Sequence, residues 1–253
     1  MIHHLLAPDL DSLRAFALGT KQELSTAPGE GAFLAHPPTA RLPSIAPADE
    51  AIALLPPGPM SLRCAEQIEH ADRVLCLSGA QAELARQLTS APVMDLDAWA
   101  QATPRGQHRR SMATWERVLR GESVSGAQRF ASQGPVDLEK LPELGFEGLR
   151  LVGLCWSLRE PSAVLRISIC GSAGQPEIRA GRAGTWWVDT KHSHWPKDAA
   201  HLARIQGQWS PDFGDRRSEW VAIGGSFEPA AVSVPAERLT DWAGAAMLPA
   251  PPF

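Results

Sequence analysis

Ala51-Ile52-Ala53-Leu54-Leu55-Pro56-Pro57-Gly58 decides the reading of the first half of the chain. A short, continuous apolar run stopped by Pro-Pro-Gly is what a strand buried on both faces requires. The pattern then repeats. Ser61 to His70 sets Leu62, Ala65, Ile68 and Glu69 or Ala71 at helical spacing, and Arg73 to Leu77 is a second apolar run. Ala80 to Leu88 reads as a second helix, Val93 to Leu96 as a third strand and Asp97 to Ala102 as a last helical turn. Connections this short imply right-handed crossovers, hence a small parallel sheet with flanking helices. Before Ala51, Leu10 to Leu18 has a helical pattern and Gly31 to Ala35 reads as a short strand, while Pro28, Pro37, Pro38, Pro43 and Pro47 break everything else.

After this alternation the composition changes. Residues 103–135 carry Pro104-Arg105-Gly106, the basic cluster His108-Arg109-Arg110, a helical stretch from Met112 to Arg120 and a Gly/Ser/Gln-rich passage to Gly134-Pro135, which reads as a connection bearing one helix. From Leu149 onward strands are expected at Leu149–Ser157, Ala163–Cys170, Glu177–Ala180, Thr185–Thr190 and Glu219–Phe227, with a helix over Asp198–Gly207, giving an α+β layer. Tryptophan marks the same division: Trp99 and Trp115 precede residue 150, whereas Trp156, Trp186, Trp187, Trp195, Trp209, Trp220 and Trp242 follow it. The expected organisation is an α/β unit over 1–103, a linker with one helix over 104–135 and an α+β unit over 136–253.

Bulk properties exclude several classes. The chain is 44% hydrophobic and 21% charged, enough apolar content to fold. A net charge of -4 supplies no basic field for nucleic acid or anionic membrane. No apolar run reaches the roughly 20 residues that span a bilayer, and Met1 to Leu6 lacks the basic start and long apolar stretch of a signal peptide, which predicts a cytoplasmic protein. Cys64, Cys76, Cys155 and Cys170 are scattered among apolar neighbours and read as buried, reduced thiols.

The segment from Trp209-Ser210-Pro211-Asp212-Phe213-Gly214-Asp215-Arg216-Arg217 through Ser218-Glu219-Trp220-Val221-Ala222-Ile223-Gly224 is similar to the C-terminal domain of the CobW family of metal-homeostasis GTPases. That domain has a Trp, a short acidic turn, Gly-Asp-Arg-Arg and an apolar strand ending in Ile-Gly. Gly184-Thr185-Trp186-Trp187, Trp195-Pro196 and Arg150-Leu151-Val152-Gly153-Leu154-Cys155-Trp156 resemble further parts of it in the same order. In the first half, Glu66 to Leu75 resembles the helix-strand passage that leads to the family's guanine-reading Asn-Lys-x-Asp, but Leu77, Ser78, Gly79 and Ala80 stand at those positions. Met1 to Leu6 resembles the helix that follows the family's P-loop. The chain has no Gly-Lys-Ser or Gly-Lys-Thr to cradle phosphate and hold magnesium, and the family's Cys-x-Cys-Cys is also absent. The resemblance therefore implies a degenerate, motif-less GTPase-like region joined to a CobW C-terminal-like domain: a metallochaperone-like pseudo-GTPase without GTP hydrolysis.

Candidate chemistry is confined to a few side chains. If Lys191-His192-Ser193-His194-Trp195 is extended, His192 and His194 project to one face, and His201 at the next helix supplies a third imidazole; zinc is the candidate ion. Arg216 and Arg217 suit an anion, against the bland reading of a tight turn in which Asp215 and Glu219 pair them. Trp186, Trp187 and Trp195 suit a contact surface or a core, and alternation along a strand forbids Trp186 and Trp187 from sharing one side. The expected partner is a protein, either a metalloprotein client or a GTPase-bearing chain that supplies the P-loop; a scaffold that uses the Trp-rich sheet without metal is the alternative. No G-x-S-x-G, H-E-x-x-H or G-x-G-x-x-G points to another enzyme class.

Overall fold

The computed structural model describes residues 3–20, 24–25, 33–36, 43, 45–46, 49–77, 81–101, 112–132, 134–144, 146, 148–171 and 176–234. The apolar run that opens the reading above is β4 (Glu50–Leu55), buried along its whole length in a parallel sheet. Around it the first half folds as β1 (His3–Leu6), α1 (Leu10–Thr20), β2 (Leu24–Ser25), β3 (Phe33–His36), β4, α2 (Leu62–Glu69), β5 (Arg73–Cys76), α3 (Ala82–Leu88), β6 (Val93–Asp95) and α4 (Leu96–Gln101). The strand order is β2-β3-β1-β4-β5-β6, all parallel. The expected small parallel sheet with helices is present, widened by β1, β2 and by β3, which overlaps the short strand expected at Gly31 to Ala35. His3 to Leu6 is a central strand, not the helix its resemblance implied. Four residues paired on both sides, with Leu5 and Leu6 buried, hold it extended.

Residues 112–132 were expected to form a connection, yet they are built into the core. Helix α5 (Thr114–Leu119) buries Trp115 and Val118, and β7 (Ala127–Ser132) is the edge strand of a second sheet. That sheet is antiparallel, in the order β10-β9-β8-β11-β7, with β8 (Arg150–Cys155), β9 (Ala163–Cys170), β10 (Glu177–Thr185) and β11 (Ser218–Ile223). Helix α6 (Ala199–Gln206) lies in the connection from β10 to β11. The two strands expected at Glu177–Ala180 and Thr185–Thr190 are one strand, followed by a 3-10 turn over Trp187–Asp189.

The layers follow from which face each strand residue occupies. Leu5, Ile52, Leu54 and Leu75 face Leu13 and Phe16 of α1, with Trp99 of α4 beside them. The opposite-facing Ala53, Leu55, Val74 and Cys76 meet α2, α3 and α5. On the far side of those helices the same core takes in Val152, Val221, Ile223 and Cys170 of the second sheet. The alternate residues of that sheet, among them Leu151, Ile167, Ile169, Trp220 and Ala222, form another core under Val136, Leu141, Phe146, Phe227 and Val232. The helices α2, α3 and α5 are thus the shared middle layer between two sheets.

A buried ion pair fixes this layer. Glu69 at the end of α2 and Arg150 at the start of β8 have fully inaccessible side chains and meet through two hydrogen bonds, 2.6 Å from Nε and 3.0 Å from Nη2. Burial opposes the guanidinium charge, but Glu69's charge and hydrogen bonds outweigh it and the Arg150 pKa is raised. Arg166 of β9 lies 3.6 Å from the same carboxylate with its guanidinium 4.8 Å from the Trp115 ring, and Arg179 of β10 pairs with Glu66 one helical turn earlier.

Candidate functional site

In an open parallel sheet a ligand is expected outside the carboxyl ends of the strands, where successive connections leave on opposite faces. Here that point lies between β1 and β4: α1 follows β1 on one face and α2 follows β4 on the other. Phosphate at such a point sits on helix N-terminal amides. Only Ala7-Pro8-Asp9 separates β1 from α1, too short for an eight-residue phosphate loop. Asp9 then turns its own carboxylate onto the helix, where Oδ1 accepts from the Ser12 amide at 2.7 Å and the Ser12 hydroxyl at 2.8 Å.

Helix α2 is closed in the same way by two groups. The Ser61 hydroxyl accepts from the Cys64 amide at 3.1 Å, a standard N-cap. Glu177 reaches across from β10, and its Oε2 accepts from the Leu62 amide at 3.0 Å. Gln67 donates to the Ala7 carbonyl at 3.0 Å, tying the turn after β1 to α2. The Ser12, Leu62 and Cys64 amides are therefore engaged by the protein's own acceptors, two of them carboxylates that repel an incoming anion. The lack of a Gly-Lys-Ser or Gly-Lys-Thr is legible in the sequence. Glu177 is not, because it lies 115 residues from the amide that it caps.

The second candidate region is the Trp-rich end of the antiparallel sheet. Trp186, at the end of β10, is buried with Trp156 and Val188, and Phe213 is packed against them. Trp187 begins the 3-10 turn, is half-buried and meets Trp195 at 5.9 Å and His201 edge-on at 5.7 Å between ring centroids. Strand alternation does not govern the pair, because β10 ends at Thr185 and both tryptophans belong to the 3-10 turn and its cap. Trp195 is buried, donates from Nε1 to the Thr190 carbonyl at 3.0 Å, and packs on Trp209 and the edge of His192.

The Gly214-Asp215-Arg216-Arg217 turn holds this aromatic cluster in place. Gly214 has φ +67 and its missing Cβ would lie 2.7 Å from the Val188 side chain, so this turn requires glycine twice over. Asp215 accepts from the Trp187 and Val188 amides, both at 2.9 Å. Arg216 is buried and fully used: Nε to the Pro161 carbonyl at 3.1 Å, Nη1 to the Phe213 carbonyl at 3.3 Å and Nη2 to Asp189 at 2.7 Å. Burial pushes the Asp189 carboxyl up, against the pull of Arg216. Arg217 pairs with Glu219 at 2.7 Å, and Arg129 of β7 joins the same carboxylate at 2.9 Å. The expected pairing is corrected in one part: Asp215 serves backbone amides, and Asp189 takes its place beside Arg216. Arg216 thus serves the turn itself, and the Arg217 Nε is engaged by Glu219.

The three histidines are not assembled as ligands. His192-Ser193-His194 is a 3-10 turn, so the extended geometry that would align His192 with His194 is absent. His192 lies edge-on to Trp195, His201 edge-on to Trp187, and His194 is exposed. Among the described residues no group of three or more His, Cys, Asp or Glu side chains is arranged to hold a metal ion. The four cysteines are free and buried. No helix among the described residues is long and apolar enough to cross a membrane. His108-Arg109-Arg110, Ser78, Gly79, Ala80 and Trp242 lie outside the described residues. No family model, curated protein or solved structure matches the chain.

Proposed function

We propose that this chain is a non-catalytic CobW-like protein that acts in metal homeostasis or metalloprotein maturation by binding a protein partner. One observation carries the non-catalytic part: the helix N-termini at the strand-switch point of the parallel sheet are capped by the protein's own Asp9 and Glu177 carboxylates, where a GTPase keeps its phosphate amides open. The metal-homeostasis setting rests on the resemblance carried by Trp209 to Gly224. The contact surface in this reading is the corner formed by half-buried Trp187 and exposed His192 and His194. Aromatic rings held by a rigid turn form a contact face without further loss of side-chain freedom.

Titration with a fluorescent GTP analogue in magnesium is expected to show no saturable binding. Micromolar, magnesium-dependent binding would overturn the reading. Zinc titration of the natural chain and of a His192→Ala/His194→Ala variant is expected to give the same negligible uptake. Zinc binding that is lost in the variant would make this corner a metal site instead.

A further inference from the structure

The edge of the parallel sheet is fastened by more than its ladder. His4 of β1 and His36 at the end of β3 occupy the same face, with His4 Nδ1 and His36 Nε2 2.8 Å apart and the rings within 8° of parallel. A nitrogen–nitrogen contact of this length contains one proton: one imidazole donates and the other accepts. Neutral rings satisfy it, and so does a pair that shares a single added proton. Two imidazolium rings cannot, because each then presents an N–H where the other needs a lone pair.

We infer that the His4–His36 pair is an acid-sensitive latch that closes the β3 edge on β1 and releases it when both rings are protonated. Among the described residues, few charged groups stand near the pair. His4 is only 7% exposed, so it cannot turn to water. Asp49, just before β4, has its carboxylate 3.5 Å from His4 Nε2 and neutralises one added proton. Glu50 aligns with His3 in the ladder and so lies on the other face, where it pairs with Arg73 beside Trp99. Asp72, just before β5, is also near, its carboxylate accepting at 2.9 Å from the amide of Ala51, the β4 residue that aligns with His4. On the other face of β3, Phe33 packs against Phe16 and Trp99, so the two histidines are the polar contact of this edge beside its apolar one.

Burial, then the neighbouring His4 charge, lowers the pKa of His36 below its ordinary 6.5. The folded edge consequently refuses a proton that the opened edge accepts. Edge stability is constant above the ordinary histidine range and falls as pH drops through it, until the folded His36 itself titrates.

Native-state amide exchange at Leu34, Ala35 and His36 of the full chain between pH 7.5 and 5, corrected for intrinsic exchange, tests this. Protection is expected to fall by up to about tenfold per pH unit below the histidine range, and to be flat in His36→Gln, which keeps a hydrogen-bonding group without a titrating one. Protection independent of pH in the natural chain, or the same slope in the variant, overturns the latch. Should the variant fail to fold, the ring nitrogen shifts of the natural chain decide. Coupled titration with one ring below the ordinary value supports the latch, and two independent, ordinary titrations overturn it.

Discussion

Glu69 and Arg150, 81 residues apart in the chain, meet with both side chains wholly buried. Their mutual geometry satisfies both charges, and Arg150 Nη1 also donates to the Ile169 carbonyl at 3.3 Å. Removing one partner strands the other charge in a site closed to solvent, which is far worse than never having had the pair. Glu69→Ala is therefore expected to lower unfolding free energy by about 3–5 kcal/mol in urea titration, and a Glu69→Met/Arg150→Met double variant to recover most of it. A loss below about 1 kcal/mol in the single variant would show that the pair behaves as a surface ion pair. The thiols give a second prediction. Burial pushes Cys170 up to about 12 and raises Cys64, Cys76 and Cys155 as well. Thiolate is the reactive form, so an aromatic disulfide reagent at pH 8 should titrate none of the four within minutes in the native protein and all four after denaturation. Rapid native reaction of any one would place that thiol at a surface.

At the scale of elements, strand β4 and the units after it were legible because Pro56-Pro57-Gly58 and Pro92 punctuate runs whose periods are unambiguous. Helix α6 was legible in the same way, with Asp198 capping its first turn through the His201 amide at 2.7 Å. Strand β7 was not. Ala127 to Ser132 sits amid Gly, Ser and Gln and has no buried position, only half-buried and exposed ones, so it resembles a linker until β11 supplies its ladder. The site shows the same limit. Missing phosphate motifs are local and readable, whereas the 3-10 turn that separates His192 from His194 is set by the packing of Trp195 against Trp187 and Trp209. Element packing also makes a prediction. A Cβ at Gly171, just after β9, would lie 2.0 Å from the Gly148 carbonyl oxygen, a backbone atom with no side chain to give way, while one at Gly181 in β10 would meet nothing within 4 Å. Gly171→Ala should destabilise by about 1–3 kcal/mol and Gly181→Ala by less than about 0.5 kcal/mol, both read from urea midpoints. Equal effects would show that the backbone near Gly148 yields freely.

For the whole molecule, the decisive fact is that α2, α3 and α5 contribute one core to both sheets. Neither half can lose its structure without exposing apolar surface of the other, so unfolding should be a single cooperative event. Tryptophan emission reports mainly on the second half, where seven of the nine tryptophans lie, and far-ultraviolet circular dichroism reports on both halves. The two transitions in urea are expected to coincide, and separated midpoints would mean that the halves are independent domains. The placement of β7 adds a condition on synthesis. It pairs with β11, and Arg129 of β7 meets Glu219 of β11 across 90 residues of chain. At roughly 5–20 residues per second, a ribosome leaves β7 without its neighbour for about 5 to 20 seconds. A nascent chain that stalls or terminates after Arg217 holds β8 and β7 with bare ladder edges facing the gap that β11 fills. Such edges recruit strands from other chains, so the last strand of the sheet decides whether a newly made molecule stays in solution.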